Sequence, residues 1–237
     1  EKIIICLPGV PREMEYLMEH QVVPFLRERL HLTEIIKTRT LHTIGVGESL
    51  IDSNIADLET SPNPTVGLAA HSGQVDIRIT VKADSETTAD QLLSRMEQEI
   101  RQRLGNWIYG VDDETIEKIA LQPLKEKQWR LATCESGTDG MLIQRLSPYG
   151  EPLIAAQYLP HPTQPEEFFE LTESFRQYVS AECGLGILVL ANSPAQEVYL
   201  HLITPETKQT FTKPYGGPPQ NAPRWAVHHA LDILRNL

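Results

Sequence analysis

The sequence is poor in cysteine, and the cysteines it has are not spaced for a metal site or a disulfide framework. There are three, Cys6, Cys134 and Cys183, and no two of them form a Cys-x-x-Cys pair. Disulfide scaffolds use an even number of cysteines, and structural zinc sites use closely spaced ones. The sequence therefore predicts neither, and we expect no metal and no cofactor.

Long hydrophobic runs are also missing. No apolar stretch reaches the ~20 residues of a membrane-spanning helix, and the first residues lack a signal-peptide pattern. We therefore expect a cytoplasmic chain without a membrane partner. The first residue, Glu1, is not an initiator methionine, so we also expect a fragment of a longer protein.

Positive charge is scarce. Lys and Arg number 21 against 32 Asp and Glu, for a formal net charge of −11. Binding to nucleic acid or to an anionic membrane needs an excess of basic residues, so neither partner is expected. An acidic surface can still hold a local basic pocket, and a small phosphate-bearing molecule stays a candidate ligand. The 237 residues, 41% of them hydrophobic, suffice for more than one domain.

Residues 1–34 contain one strand pattern and one helix pattern. Lys2–Cys6 is a short apolar run, typical of a buried strand. Pro11 suits the first turn of a helix, and Pro24 is expected to kink or end that helix. One strand and one helix cannot enclose a core. We therefore expect this segment to be a remnant that leans on something else.

Residues 35–111 follow the order β-α-β-β-α. Alternating apolar residues predict the strands, and apolar residues at helical spacing predict the helices. The predicted elements are Ile35–Ile44, Glu48–Leu58, Thr65–Ala70, Gln74–Lys82 and Glu86–Leu104. A short strand from Trp107 to Tyr109 follows them.

Residues 112–237 alternate strands with helices, which predicts an α/β layered domain. Asp112 or Asp113 is expected to cap a helix over about 114–127, bent at Pro123. Later strands are predicted at Leu153–Leu159, Leu185–Ala191, Glu197–Ile203 and Lys208–Thr212, and a last helix from about Arg224. The whole chain thus combines α/β and α+β architecture.

Polar residues between glycines form the most informative stretch. Glu135, Ser136 and Thr138 follow a short strand, and Gly137 and Gly140 lie on either side of Thr138. Unpaired N–H groups at a helix start can receive an anion or oxyanion, and a serine there could act as a nucleophile. The alternative is an ordinary strand-to-helix connection whose Ser and Thr cap the helix. On the residues alone, the ordinary connection is favoured.

Two motifs resemble those of one family, the CinA (competence/damage-inducible) proteins. Glu135-Ser-Gly-Thr-Asp-Gly140 resembles the Glu-Ser-Cys-Thr-Gly-Gly motif of that family's C-terminal domain, and Leu7-Pro-Gly-Val-Pro-Arg-Glu-Met14 resembles the end of its first domain. The resemblance implies three parts. Residues 1–34 would be the remnant of a molybdopterin-binding-like domain, 35–111 a KH-like middle domain, and 112–237 a deamidase-like C-terminal domain.

The resemblance also implies a chemistry. The family's C-terminal domain is similar to nicotinamide-mononucleotide deamidases, which hydrolyse a carboxamide to an acid and ammonia. Ser136 would match the nucleophile or substrate-orienting hydroxyl, with Glu135 and Thr138 beside it. Gly137 and Gly140 would contribute to substrate binding. Arg224 lines up with an arginine at the head of the family's last helix, which suits a substrate phosphate.

Departures from the family pattern weaken this expectation. Asp139 replaces a glycine, and its carboxylate would repel a phosphate. The segment near 158–163 lacks the lysine of the family's Tyr-Ser-Asn-x-x-Lys, so a general base is not evident. The remaining candidates for a base are His161, His201, His228 and His229. We therefore expect weakened or lost amidohydrolase activity. The alternatives are a non-catalytic nucleotide-binding or dimerisation module, and ADP-ribose pyrophosphatase activity in the missing first domain.

The KH-like segment is expected to be structural. KH modules grip nucleic acid through a Gly-x-x-Gly loop, whereas this segment has Gly45-Val-Gly-Glu48. It carries seven basic and ten acidic residues between Lys37 and Leu104, which again argues against nucleic acid. The family resemblance and the prevalence of two-fold symmetry suggest a homodimer.

Overall fold

The computed structural model describes residues 2–30, 34–71, 73–160, 164–190 and 196–237. Within them lie two β-sheets, one of four strands and one of five, and each has helices packed against it. The mixed α/β and α+β class predicted from the sequence is confirmed. None of the described helices is both long and apolar enough to cross a membrane.

The N-terminal segment is mainly helical, and almost none of its residues are buried. Helix α1 spans Pro11–Leu17 and α2 spans Val23–Leu30, joined by a π-helical turn at Met18–Val22. In described residues 2–30, Val22 alone is buried. The strand predicted at Lys2–Cys6 is wrong, because this stretch pairs with no strand in the described part of the chain.

The helix was predicted to kink or end at Pro24, and it does not end there. The ring of Pro24 would clash with the carbonyl of His20, four residues earlier, and the proline has no N–H to donate. The π turn at Met18–Val22 immediately precedes it and widens the backbone spiral there. The helix therefore continues past Pro24 as α2.

The second unit is an antiparallel sheet covered by two helices. Its strand order is β2-β3-β1-β4, and β1 pairs antiparallel with both β3 and β4. The elements are β1 Ile35–Ile44, α3 Glu48–Glu59, β2 Thr65–His71, β3 Gln74–Ala83, α4 Glu86–Leu104 and β4 Ile108–Val111. Along β3 the residues Val75, Ile77, Ile79 and Val81 are all buried. The predicted β-α-β-β-α order is thereby confirmed.

The third unit is a five-stranded mixed sheet of order β6-β5-β7-β8-β9. Strands β6, β5 and β7 are parallel, whereas β8 and β9 are added antiparallel. The elements are α5 Ile116–Glu126, β5 Leu131–Ser136, α6 Met141–Leu146, β6 Leu153–Leu159, α7 Pro165–Tyr178, β7 Cys183–Leu190, β8 Glu197–Ile203, β9 Lys208–Pro214 and α8 Ala222–Arg235.

Helices cover both faces of this sheet. Every residue of β5 is buried, which a strand can tolerate only when both of its faces are packed. Helices α5, α6 and α8 share one core with the Leu131 side of β5. Helix α7 covers the other face, where Phe168 packs with Cys134 and Leu188.

Helix α8 lies between the two sheet units. One side supplies buried residues to the core of the third unit: Ala226, Val227, Ala230, Leu231 and Leu234. The other side meets the second unit. A Cβ built on Gly45 would lie 3.1 Å from Asp232 Oδ2. Asn106 Nδ2 donates to Asn236 Oδ1 at 3.2 Å.

Candidate functional site

The polar turn lies at the carboxyl end of β5, in the middle of three parallel strands. The chain leaves β5 through α6 to reach β6 on one side, then returns through α7 to β7 on the other. Helices α6 and α7 lie on opposite faces of the sheet. Crevices outside the carboxyl ends of strands at such a reversal are the usual ligand sites of open α/β sheets.

Glu135 is a buried helix cap. Its Oε2 accepts hydrogen bonds from Thr138 Oγ1 at 2.5 Å and from the backbone N–H of Leu142 at 3.0 Å. Its Oε1 accepts from the N–H of Ile143 at 2.9 Å. The carboxylate and the Thr138 hydroxyl are both fully buried. Together they satisfy N–H groups that the start of α6 would otherwise leave unpaired.

Ser136 projects to the opposite face of the sheet. It is fully buried, and its register partners on the neighbouring parallel strands are Leu159 and Leu188. Its Oγ has no hydrogen-bond partner among the described residues. A buried hydroxyl without a partner costs free energy unless a ligand, water or another group satisfies it. The described residues therefore leave the hydrogen-bonding capacity of this hydroxyl at the strand end unused.

The histidines proposed as bases lie away from Ser136 where the structure describes them. His201 pairs across β8 with Gly186, about 10 Å sideways from β5 at ordinary strand spacing. Its Nδ1 lies 3.0 Å from Thr210 Oγ1, and burial lowers its pKa. His228 and His229 belong to α8 and face the second unit. His161 lies outside the described residues.

The two glycines of the turn are subject to different steric constraints. Gly137 has φ +72°, and a Cβ there would fall 2.2 Å from the carbonyl oxygen of Val189. Gly140 has φ +74° at the N-cap of α6, but the nearest atom to its Cβ would be 3.9 Å away. Asp139 between them also has a positive φ, +55°, and is exposed. A short polar residue tolerates that conformation better than most.

Arg224 lies at the same edge of the sheet as the turn. Leu190 at the end of β7 pairs with Glu197, and Glu197 pairs with Pro214 at the end of β9. Helix α8 then begins at that edge and runs back across the sheet. Arg224 in its first turn is exposed, with no ion pair or hydrogen bond to another described residue. Its guanidinium is thus available to an anion.

The second unit contains a polar cluster that was not predicted from the sequence. His42 and Asp76 are directly opposite on β1 and β3, and His42 Nδ1 lies 2.7 Å from Asp76 Oδ1. His42 Nε2 lies 2.7 Å from the carbonyl oxygen of Asp112. Burial alone would lower the pKa of His42, but these two acceptors outweigh it and the pKa is raised. Strand register was the signal that would have paired these residues.

Metal-ligating side chains do not converge in the described part of the chain. No group of three or more His, Cys, Asp or Glu side chains there could hold an ion.

A match to a known family covers the second unit. Residues 38–110 match the family described as the damage-inducible protein CinA KH domain. That span runs from β1 into β4, so it coincides with the four-stranded sheet and its two helices.

Curated relatives match larger parts of the chain. A competence-damage inducible protein of Caldicellulosiruptor bescii is 41% identical over 147 residues, which is 62% of this chain and 35% of that protein. One from Caldanaerobacter subterraneus is 28% identical over 263 aligned positions, covering 99% of this chain and 63% of the relative. The chain spans about a third of the length of the first of these relatives and less than two thirds of the second.

Solved structures give a weaker likeness. A competence-damaged protein (CinA) superfamily protein from Escherichia coli is 18% identical with a TM-score of 0.46. The comparison covers 56% of this chain and 98% of that one.

Proposed function

Because this chain belongs to the CinA family, we propose that residues 112–237 form an amidohydrolase unit of the nicotinamide-mononucleotide deamidase type with weakened or lost activity. The observation that carries the proposal is the hydroxyl of Ser136. It is fully buried at the carboxyl end of a central parallel strand and lacks a partner among the described residues. A ligand amide or carboxylate would give it one.

The substrate side of the proposal rests on Arg224. Its exposed guanidinium lies at the same sheet edge as the turn and is unpaired among the described residues. Arginine binds phosphate through paired, charge-assisted hydrogen bonds. A nucleoside monophosphate could place its phosphate at Arg224 and its carboxamide toward Ser136.

The expected weakness has two causes. The described histidines lie away from Ser136, and Glu135 already accepts three hydrogen bonds that hold α6. A missing general base typically costs on the order of a hundredfold to ten-thousandfold in rate. Asp139 adds an exposed carboxylate to the turn, and it would oppose a bound phosphate.

The experiment measures binding and turnover separately. Ammonia release and the ligand-induced change in Tm would be recorded with nicotinamide mononucleotide for the unaltered chain, Asp139→Gly, Ser136→Ala and Arg224→Gln. Arg12→Gln, in the exposed N-terminal helix, serves as the charge-matched control. For the unaltered chain we expect the nucleotide to raise Tm with little turnover. Asp139→Gly should bind the nucleotide more strongly. Arg224→Gln should bind it more weakly, whereas Arg12→Gln should bind it like the unaltered chain.

Two outcomes would overturn this proposal. Robust ammonia release that vanishes in Ser136→Ala would show that the activity is not weakened and that another group supplies the base. A Tm unchanged by the nucleotide in every variant would remove the substrate assignment and leave a unit whose turn serves only to cap α6.

A further inference from the structure

A second cleft opens between the four-stranded unit and α8, with a volume of about 350 Å³. Three parts of the chain line it: the loop after β1, the β2–β3 hairpin and the outer side of α8. The residues that matter for its chemistry are Glu48, His71, Trp225 and His229. A volume of this order suits a small ring compound.

Two contacts hold the walls of this cleft in place. Gly45 and Gly73, with φ +74° and +84°, bring the two loops onto α8. A Cβ on Gly45 would lie 3.1 Å from Asp232, and one on Gly73 only 2.5 Å from His228 Nδ1. The loops thus touch α8 one turn apart, which fixes the distance between them and the aromatic side chains on the same helix.

The α8 wall is aromatic and uncharged. The rings of Trp225 and His229 pack edge to face with their centroids 4.0 Å apart. Burial, with a smaller contribution from the charge of Lys213, lowers the pKa of His229 to about 4. His229 is therefore neutral at pH 7 and does not repel a cation. Tryptophan is the side chain whose face attracts cations most strongly.

The opposite wall carries negative charge. Glu48 begins α3 and has no ion-pair partner among the described residues. On the same helix the pKa of Glu59 is raised, first by burial and then by the charges of Asp52 and Glu48. No lysine or arginine is among the residues that line the cleft. His71, which also lines the cleft, places its Nε2 3.3 Å from Asp76 Oδ2, so a second carboxylate lies beside this wall.

From this arrangement we propose that the cleft binds a flat aromatic cation, with its ring on Trp225 and its charge toward Glu48. An aromatic face, a neutral imidazole and an unpaired carboxylate together select for positive charge on a planar ligand. No described lysine or arginine lines the cleft to receive a phosphate. The cleft thus differs in charge from the sheet edge where the Ser136 turn and Arg224 lie.

The test uses a matched pair of probes. Binding of 1-methylquinolinium and of quinoline, which is neutral at pH 8, is measured by titration calorimetry with the full chain at low salt. We expect the cation to bind at least tenfold more tightly than the neutral ring. Equal affinities, or no detectable heat from the cation at millimolar concentration, would overturn the proposal.

Variants locate the site. Glu48→Gln and Trp225→Leu should each weaken binding of 1-methylquinolinium about tenfold, whereas Asp84→Asn and Trp129→Leu should leave it unchanged. Trp225→Phe keeps a ring and should give an intermediate affinity if the leucine variant fails to fold. Arg224→Gln removes a positive charge next to Trp225 in sequence, so it should not weaken binding of the cation, whereas it should weaken binding of the nucleotide. If Glu48→Gln binds 1-methylquinolinium with full affinity, the ligand does not lie in this cleft as proposed. The same conclusion would follow if Trp225→Phe and Trp225→Leu both bind it with full affinity.

Discussion

Gly73 in the β2–β3 hairpin lies against His228 of α8 so closely that a Cβ on the glycine would fall 2.5 Å from the imidazole Nδ1. The glycine also has φ +84°. The contact joins two units that are distant in sequence. Because the two residues are so close, substitutions at either one can measure how much the contact contributes to stability.

A double-mutant cycle measures that contact. Gly73→Ala should lower the free energy of unfolding by about 2–4 kcal/mol, from an unfavourable φ and a forced shift of His228. In a His228→Ala background only the φ cost of about 1–2 kcal/mol should remain. Urea unfolding of the four proteins gives the coupling energy. A coupling indistinguishable from zero would show that the imidazole does not limit the approach of the hairpin.

Gly137 and Gly140 have similar positive φ angles but differ in the room available for a Cβ atom. Gly137→Ala should lower the free energy of unfolding by about 3 kcal/mol or more, because its Cβ would meet the Val189 carbonyl oxygen. Gly140→Ala should cost only about 1–2 kcal/mol, since its Cβ would be 3.9 Å from its nearest neighbour. Chemical denaturation of both variants decides the point. Equal losses of unfolding free energy in the two variants would mean that the backbone at Val189 shifts to make room for the added Cβ.

Glu135 should behave as a structural residue. Glu135→Gln replaces one acceptor oxygen with a donor beside groups that already donate, and should lower the free energy of unfolding by roughly 2–4 kcal/mol. Glu170→Gln, an exposed position on α7, is the matched control and should change it by less than about 0.5 kcal/mol. A Glu135→Gln protein as stable as the control would contradict the capping role.

His229 should make the protein sensitive to acid. Its pKa of about 4 in the folded chain lies below the unfolded value of about 6.5, so the unfolded state binds protons first as the pH falls. This lowers stability between pH 6.5 and pH 4 by up to about 3 kcal/mol. His229→Gln should therefore lose less stability than the unaltered chain between pH 7 and pH 4. Parallel pH profiles of the two proteins would rule out this contribution.

The N-terminal helices should be dispensable for stability. Of described residues 2–30 only Val22 is buried, so deleting residues 1–30 should change the free energy of unfolding by less than about 1 kcal/mol. Deleting α8 serves as the contrasting case and should abolish cooperative unfolding, because it supplies core residues to the third unit. Loss of the main transition on removing residues 1–30 would show that these helices cover part of the fold.

Strong local signals located most elements from the sequence. Alternation predicted Ile35–Ile44 and Glu197–Ile203 with the bounds that the structure has. Helix Glu86–Leu104 was also predicted with these bounds, since Gly105 ends it, and the Ser85 side chain accepts a hydrogen bond from the Thr88 N–H at its start. These boundaries depend on neighbours in sequence, which is why sequence alone reveals them.

Where distant residues decide, the sequence did not suffice. The helix expected to begin after Asp112 or Asp113 begins at Ile116, and Thr115 caps it. Asp112 is instead bound to β1, where its N–H donates to the Thr40 carbonyl at 2.8 Å. A pairing across more than seventy residues is invisible to local patterns.

The motif located the candidate site in the sequence, but it did not predict the structural role of each of its side chains. Sequence spacing places Glu135 beside Ser136, and a strand sends adjacent side chains to opposite faces. Glu135 consequently reaches α6 while Ser136 faces α7. The roles of Ser136 and Arg224 in binding or chemistry stay predictions.

Helix α8 limits how freely this chain can be recombined. Leu234 and Arg235 are adjacent in sequence, yet Leu234 belongs to the core of the third unit and Arg235 donates to the Asn106 carbonyl of the second. A chimera that took residues 112–237 from a relative would bring a foreign helix surface against Gly45 and Gly73. The two units therefore have to be inherited together, or the loops of one must be exchanged along with the last helix of the other.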